Sequence, residues 1–224
     1  MQSSGCVAAA MLGLPLRTYV YVDGFNLYYG ALRHSQFKWL DLEKLCSIIL
    51  KNTPILKIKY FTARVVPRPN DPDQSVRQDV YLRALSTNPK IEIFFGHFLS
   101  HSVRMPVCDK YGKVTGEYTN VLKTEEKGSD VNIASHLLMD AHLGRFDQAI
   151  IISNDSDLLT PIRFVRAEFK KRVGILNPHK RPSQVLLRES DFLRPIRQGA
   201  LKASQLPERM SDANGTFTRP VRWK

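Results

Sequence analysis

The feature that most constrains the fold is a regular alternation of buried-strand patterns with amphipathic helical patterns along the chain. Short runs rich in β-branched and aromatic residues predict strands at Thr18–Asp23, Ile55–Val66, Ile91–Phe98, Gln148–Ser153 and Arg172–Leu176. Apolar residues at helical spacing predict helices between them, over Asn26–His34, Leu42–Leu50, Ser75–Ser86, Ser129–Leu143 and from Thr160 onwards. Since parallel strands are joined through helices, this order predicts a three-layer α/β/α sandwich with a mostly parallel central sheet.

Three segments lie outside this alternation. Residues 1–16 are predicted to be a loose leader. Residues 99–126 are predicted to be irregular, with turns at Asp109–Gly112 and Gly116 and a short strand at Tyr118–Leu122. Prolines interrupt residues 179–224, which are predicted to form a C-terminal extension with at most short helices. The α/β domain is therefore predicted to cover residues 17–178.

The basic residues are concentrated in the last third of the chain. The 224 residues include 33 Lys and Arg and 21 Asp and Glu, a formal net charge of +12, and residues 158–224 hold 15 of the basic and five of the acidic ones. A basic segment beside a near-neutral domain favours a polyanionic partner, above all nucleic acid. The extension has no amphipathic helix with a wide apolar face, and the chain has no run of 18 apolar residues, so no membrane partner is predicted.

The extension has several possible roles on this evidence. It can clamp RNA, pack on a second chain as an oligomerisation arm, or serve as a docking peptide, and its apolar residues can also pack back on the domain. The three cysteines are far apart and contain no CxxC pair, which excludes a zinc ribbon or a disulfide framework. Cysteines used in this way favour a reducing, cytoplasmic location.

Acidic residues stand where an open parallel sheet keeps its active site, at the carboxyl ends of the predicted strands. Asp23 ends the first strand, Asp155 and Asp157 follow the fourth, and Asp130 begins a helix. Each can be structural when taken singly, as a helix cap or a turn residue. Four carboxylates at one sheet edge would repel one another, and a hard divalent cation such as Mg²⁺ or Mn²⁺ is the usual counter-charge. One or two such ions can activate water and stabilise an in-line phosphoryl displacement.

Three segments that contain these residues closely resemble the NYN domain, a PIN-like nuclease family, and in particular its LabA-like bacterial branch. They are VDGFNLYYG (residues 22–30), KGSDVNIASHLLMDA (residues 127–141) and IIISNDSDLLTPI (residues 150–162), in the family's order and spacing. The resemblance covers about residues 17–178. Other familiar catalytic patterns, namely GxSxG, Walker A and GxGxxG, are absent from the sequence.

The resemblance implies a Rossmann-like α/β/α fold and a metal-dependent ribonuclease that leaves 5′-phosphate and 3′-hydroxyl ends. By position, Asp23, Asp130, Asp155 and Asp157 match the family's metal-binding carboxylates, and Asn26 matches its accompanying asparagine. Ser153 and Asn154 would shape the loop between the acidic residues, and Lys127 is a candidate phosphate contact that can instead pair with Glu125 or Glu126.

Substrate binding outside the metal site requires cations, since RNA is a polyanion. The predicted helix after the SNDSD segment places Arg163, Arg166 and Lys170 on one flank. Further arginines of the extension, Arg181, Arg188, Arg194 and Arg197, can continue that flank as a track. Four aromatic residues are candidates to stack on bases, although Phe95 is favoured as a core residue: Tyr28, Tyr29, Phe95 and Trp223.

The sequence leaves three alternatives to a ribonuclease. The first is a catalytically silent NYN-fold module that binds RNA or docks a partner protein. The second is a metal phosphohydrolase for small substrates, against which the basic last third argues. The third is a DNA nuclease, because no residue identified here reads the 2′-hydroxyl.

Overall fold

A six-stranded, entirely parallel sheet forms the centre of the computed structural model, which describes residues 15–51, 53–67 and 69–223. Across the sheet the strands are β3 (Ile91–Phe95), β2 (Ile55–Thr62), β1 (Thr18–Asp23), β6 (Gln148–Ile152), β7 (Arg172–Asn177) and β8 (Phe192–Pro195). The two central strands pair in register from Thr18 opposite Gln148 to Val22 opposite Ile152. The predicted parallel sheet is confirmed, with the ends of β1 and β6 side by side.

Helices cover both faces of this sheet. In chain order they are α1 (Gly24–Leu27), which continues as a π-helical turn over Tyr28–Leu32, α2 (Leu42–Leu50), α3 (Gln74–Ser86), α4 (Ser129–His142), α5 (Leu159–Ala167), α6 (Gln184–Glu189) and α7 (Gln198–Ala203). Short 3₁₀ turns lie at Ser156–Leu158 and Val221–Trp223. No described helix is long and apolar enough to cross a membrane.

The strands supply two separate hydrophobic cores because successive side chains point to opposite faces of the sheet. Val20 and Ile150 are buried against the face covered by α1, α2, α3 and α7. Tyr21 and Ile151 are buried against the face covered by α4, α5 and α6. This arrangement confirms the three-layer α/β/α sandwich.

The prediction of an irregular region over residues 99–126 was wrong, apart from the short strand predicted at Tyr118–Leu122, which lies within a longer one. Strands β4 (His97–Cys108) and β5 (Val114–Lys127) form a long antiparallel ribbon, paired from His97 opposite Lys127 outwards. Most of its side chains are exposed on both faces, so the sequence shows no apolar alternation there. The turn predicted at Asp109–Gly112 lies at the tip, whereas Gly116, also predicted as a turn, lies within β5.

The sheet continues beyond residue 178, where the sequence analysis ended the domain. Strand β8 pairs in parallel with β7, placing Phe192 opposite Gly174. Four residues that end in proline are too short to give a strand pattern, which is why the sequence analysis missed β8. Of the predicted leader, residues 1–14 lie outside the described part of the chain.

The rest of the extension packs back on the domain. Leu201 and Phe217 are buried in the core that lies under α2 and α3. Strands β9 (Arg209–Asp212) and β10 (Gly215–Thr218) form a hairpin that is tied to α3 by an ion pair of 2.6 Å between Arg83 and Asp212. The extension is therefore part of the folded domain, and its packing against the domain buries much of its apolar surface.

Candidate active site

Asp23 is the most constrained of the predicted site residues. It ends β1, and its side chain is 5% exposed. The backbone N–H of Asn26 donates to its Oδ1 at 2.9 Å, and the Ser153 hydroxyl donates to its Oδ2 at 3.1 Å. Burial raises the pKa of Asp23 to about 6; the negative charges of Asp130 and Asp155 add to this, and the Asn26 and Ser153 hydrogen bonds oppose it.

The loop after β6 folds around its own polar groups. The backbone N–H of Asp155 donates to the Ser153 hydroxyl at 3.1 Å, and that of Asp157 donates to Oδ1 of Asp155 at 3.0 Å. Ser153 therefore connects Asp155 to Asp23 through one buried hydroxyl. Asp155 also caps the 3₁₀ turn that follows, so part of its role is structural.

Asp130 comes to the same edge from the beginning of α4. Gly128 precedes this helix in the left-handed region, at φ +98°, which is a conformation that favours glycine and explains the glycine of the KGSD segment. Burial raises the pKa of Asp130, and the charges of Asp155, Glu126 and Asp157 raise it further. The four predicted carboxylates thus act electrostatically on one another.

These residues fit a hard divalent cation. All four acidic side chains supply oxygen donors. The pKa values of Asp23 and Asp130 are raised by burial and, to a smaller extent, by the negative charges of their acidic neighbours, which a bound cation would offset. No three His, Cys, Asp or Glu side chains in the described ranges are arranged as a ready metal cage. Mg²⁺ commonly uses only one or two carboxylates and keeps several water ligands, so this donor set suits it.

Asn26 links three parts of the sheet edge. Its Oδ1 accepts the backbone N–H of Asn154 at 2.9 Å and lies 3.1 Å from Nε2 of His179. The side chain of Asn154 in turn accepts the backbone N–H of Ser183 at 2.7 Å. Asn26 and Asn154 are therefore brought together with Asp23 and Ser153, and they fix the loop that contains Asp155.

His179 was missed in the sequence analysis. It follows β7, and its backbone N–H donates to Oδ1 of Asn177 at 2.9 Å. Its position just beyond the carboxyl end of a central strand is the same signal that identified Asp23 and Asp155, and it could have been applied here. Sequence reasoning overlooked it because no acidic residue accompanies it.

The predicted substrate-binding cations are dispersed. Lys127 pairs with Glu125 at 3.2 Å, one of the two alternatives foreseen for it. Arg163 pairs with Glu189 at 2.8 Å and Arg166 with Asp191 at 3.0 Å, which ties α5 to the segment around β8. Lys170 is exposed just after α5.

The predicted arginine track does not run along one face. Arg194 donates to the carbonyl oxygen of Ile49, at 2.6 Å, on the face that α2 covers. Arg163 and Arg166 belong to α5 on the opposite face. The prediction that Arg194 continues the flank of Arg163 and Arg166 was wrong, because periodicity within single helices does not report which face of the sheet each segment covers.

Comparison with known proteins supports one family. The family model for the NYN domain matches residues 17–196. The chain is 33% identical, over 93% of its length and 76% of the relative's, to 6-hydroxy-3-succinoylpyridine 3-monooxygenase HspA of Pseudomonas putida. A crystal structure of a protein of unknown function from Vibrio parahaemolyticus resembles it with a TM-score of 0.54 at 16% identity, covering 86% of this chain and 97% of that one. The last likeness shows the fold alone.

Proposed function

This chain belongs to the NYN domain family, and on that premise we propose that it is a metal-dependent endoribonuclease acting in the cytoplasm. It would cut RNA phosphodiesters and leave 5′-phosphate and 3′-hydroxyl ends. The observation that carries the proposal is the cluster of Asp23, Asp130 and Asp155 at the carboxyl edge of the sheet, where burial raises the pKa of Asp23 to about 6 and the other two charges contribute to the rise. A structural role alone gives no reason to keep so much uncompensated charge together.

The site residues have separate roles in this proposal. Asp23, Asp130, Asp155 and Asp157 would hold one or two Mg²⁺ or Mn²⁺ ions. A bound ion of this kind would make a coordinated water more acidic and would stabilise charge on the phosphoryl oxygens.

The remaining polar residues would hold the acidic groups in place. Ser153 fixes the rotamer of Asp23, and Asn26 fixes the loop that contains Asp155. His179 donates its Nε2 proton to Asn26 and so sets the orientation of that amide. These contacts preorganise the carboxylates, so little rearrangement is needed when substrate binds.

The test is cleavage of labelled single-stranded and structured RNAs, with matched DNA, in Mg²⁺, Mn²⁺ or EDTA. Asp155→Asn is expected to abolish cutting while the protein stays folded. Asp73→Asn is the matched control, because Asp73 is exposed, precedes α3 and makes no side-chain cap contact. Metal-dependent cutting that Asp155→Asn retains would refute the site assignment. Salt-sensitive RNA binding without any cutting would favour the silent binding module.

A second candidate function rests on the Pseudomonas relative. That protein is described as acting on 6-hydroxy-3-succinoylpyridine as a monooxygenase, and its identity of 33% extends over nearly the whole of this chain. Such a reaction would place one atom of O₂ in the pyridine substrate and reduce the other to water with two electrons from an external reductant. Oxygen uptake that requires both the pyridine and a two-electron reductant would support this candidate, and its absence alongside RNA cleavage would exclude it.

A further inference from the structure

A cavity of about 390 Å³ lies beside α1, separate from the carboxylates. The π-helical turn that follows α1 forms one wall, the beginning of α3 forms another, and the 3₁₀ turn at Val221–Trp223 forms a third. Its principal lining side chains are aromatic or cationic: Tyr28, Tyr29, Arg33, Lys38, Arg77 and Arg222.

The positive charge in this cavity exceeds the negative charge of its described lining. Arg77 and Arg222 share one carboxylate, Asp71, at 2.5 and 2.6 Å. Among the described residues, Lys38 Nζ donates only to the backbone carbonyl of Ser35, at 2.5 Å. Burial lowers the pKa of Lys38, and the charges of Arg219 and Arg222 lower it further. Cations crowded in this way are stabilised by a multivalent anion, and phosphate is the common one.

The cavity also presents aromatic surface. Tyr28 and Tyr29 are 36% and 49% exposed, with ring centroids 5.4 Å apart in an edge-to-face arrangement. The ring of Tyr29 stacks on that of Phe25 at 6.4 Å, and the guanidinium of Arg33 lies 5.5 Å from the Tyr29 centroid. Exposed tyrosines held by aromatic neighbours are suitable platforms for a planar ring.

One short segment joins this cavity to the carboxylate cluster. Within nine residues, Asp23 and Asn26 take part in the cluster, while Tyr28 and Tyr29 line the cavity. A second recess, lined by Gly24 and Phe25 together with Tyr28 and Tyr29, adjoins the cavity and reaches Tyr60 and Thr62 of β2. One continuous segment of the chain therefore borders both the cavity and the carboxylate cluster.

We propose that this cavity is a subsite for one phosphorylated nucleotide of the substrate strand, with the phosphate on Arg33 and Lys38 and the base against Tyr29. The assignment to a substrate strand rests on the proposed nuclease function. The subsite positions the strand so that a neighbouring phosphodiester lies at the carboxylates.

The test is binding of a fluorescent single-stranded oligoribonucleotide to the full chain in EDTA, measured by anisotropy over a range of salt concentrations. Arg33→Gln and Tyr29→Ala are each expected to weaken binding about tenfold, and Arg33→Gln also to lower the salt slope by about one. Arg104→Gln is the matched control, because Arg104 also lies over a tyrosine, 5.0 Å from the centroid of Tyr118, but belongs to the exposed β4–β5 ribbon. It is expected to change affinity less than about twofold.

Displacement experiments identify the ligand. Adenosine 5′-monophosphate is expected to displace the oligonucleotide from the unmodified protein at concentrations at which inorganic phosphate does not. Equal weakening by Arg104→Gln, no effect of Tyr29→Ala, or equal displacement by inorganic phosphate would each overturn the proposal. Displacement by 6-hydroxy-3-succinoylpyridine but not by the nucleotide would overturn it as well.

The readout is independent of cleavage because EDTA removes the metal. A protein that binds through Arg33 and Tyr29 but never cuts RNA in Mg²⁺ or Mn²⁺ would refute the nuclease function and leave the nucleotide subsite standing. If the protein cuts RNA but both variants bind RNA as tightly as the unmodified protein, the nucleotide subsite is refuted and the nuclease function stands.

Discussion

Nε2 of His179 lies 3.1 Å from Oδ1 of Asn26. The same oxygen accepts the backbone N–H of Asn154 at 2.9 Å, which fixes it as the acceptor of the Asn26 amide. His179 must therefore donate from Nε2. This contact connects the segment after β7 with the segments that follow β1 and β6, and it makes the imidazole part of the frame that holds the acidic loop.

Gly30→Ala tests this frame without removing a polar group. An alanine Cβ at position 30 would lie 2.7 Å from Cδ2 and 2.8 Å from Nε2 of His179, so we expect the imidazole to shift and its contact with Asn26 to be disturbed. We expect Gly30→Ala to reduce the cleavage rate about tenfold, as for the loss of one hydrogen bond that orients a charged group. We expect His179→Ala to reduce the cleavage rate by a similar amount. Single-turnover cleavage measures the effect.

Gly199→Ala is the control for that substitution. A Cβ at position 199 meets open space in α7, so helix propensity alone predicts a gain in the free energy of unfolding of about 0.5–1 kcal/mol. Its cleavage rate should be unchanged. Full activity of Gly30→Ala would show that the His179–Asn26 contact does not matter for turnover.

Asp23→Asn is expected to stabilise the fold while it abolishes cleavage. Burial raises the pKa of Asp23 from 3.8 to about 6, so its ionised form costs the folded state about 2–3 kcal/mol at neutral pH. Asparagine removes that cost. Urea unfolding in EDTA at pH 7.5 measures the difference, and a variant less stable than the unmodified protein contradicts the prediction.

The pH dependence of stability follows from the same group. Between about pH 4 and pH 6 the folded protein binds more protons at Asp23 than the unfolded chain does. The contribution of Asp23 to the free energy of unfolding is therefore present at low pH and lost as pH rises through about 6, and Asp23→Asn should lack this component in EDTA. Stabilisation of the fold by Mg²⁺ should instead increase as pH rises, since the cation competes with the proton for Asp23. Thermal unfolding at pH 5 and pH 7.5, with Mg²⁺ and with EDTA, measures both trends.

A buried ion pair under α4 predicts a large loss of stability. Lys59 and Asp140 are 4% and 0% exposed, with Nζ and Oδ2 at 2.5 Å, and Tyr21 and Arg145 also donate to Asp140, each at 2.8 Å. Asp140→Ala leaves the Lys59 charge buried without its main partner and should cost about 3–5 kcal/mol.

The exposed pair between Arg64 and Asp79 is the control for that prediction. Asp79→Ala should cost less than about 1 kcal/mol by the same urea titration. The double variant Lys59→Met with Asp140→Leu should be more stable than Asp140→Ala, because no charge is then left buried. Equal losses for Asp140→Ala and Asp79→Ala would show that the buried pair is not a major source of stability.

The sequence was informative where burial imposes a pattern. Strands such as Gln148–Ile152 are completely buried, so their apolar composition predicted the strands and the positions of their carboxyl ends. The acidic residues that follow those ends were thereby identified as site candidates. The β4–β5 ribbon has no buried face, and no pattern of apolar residues could reveal it.

Contacts between distant segments escaped prediction for a different reason. The cavity beside α1 combines Arg33, Arg77 and Arg222, and no spacing in the sequence relates the third of these to the first two. The contact between His179 and Asn26 was not predicted because the two residues lie 153 positions apart. Such groups become visible only when the order of strands in the sheet is known.

The position of β1 at the centre of the sheet affects how this protein folds during its synthesis. Its neighbour on one side, β6, begins at Gln148, so one edge of β1 has no partner until the ribosome has made more than half of the chain. At 5–20 residues per second this interval is roughly 6–25 s, during which an apolar strand edge is open to wrong pairing. Chaperone protection of the nascent chain would be most valuable in that interval, and fragments that end before β6 should aggregate.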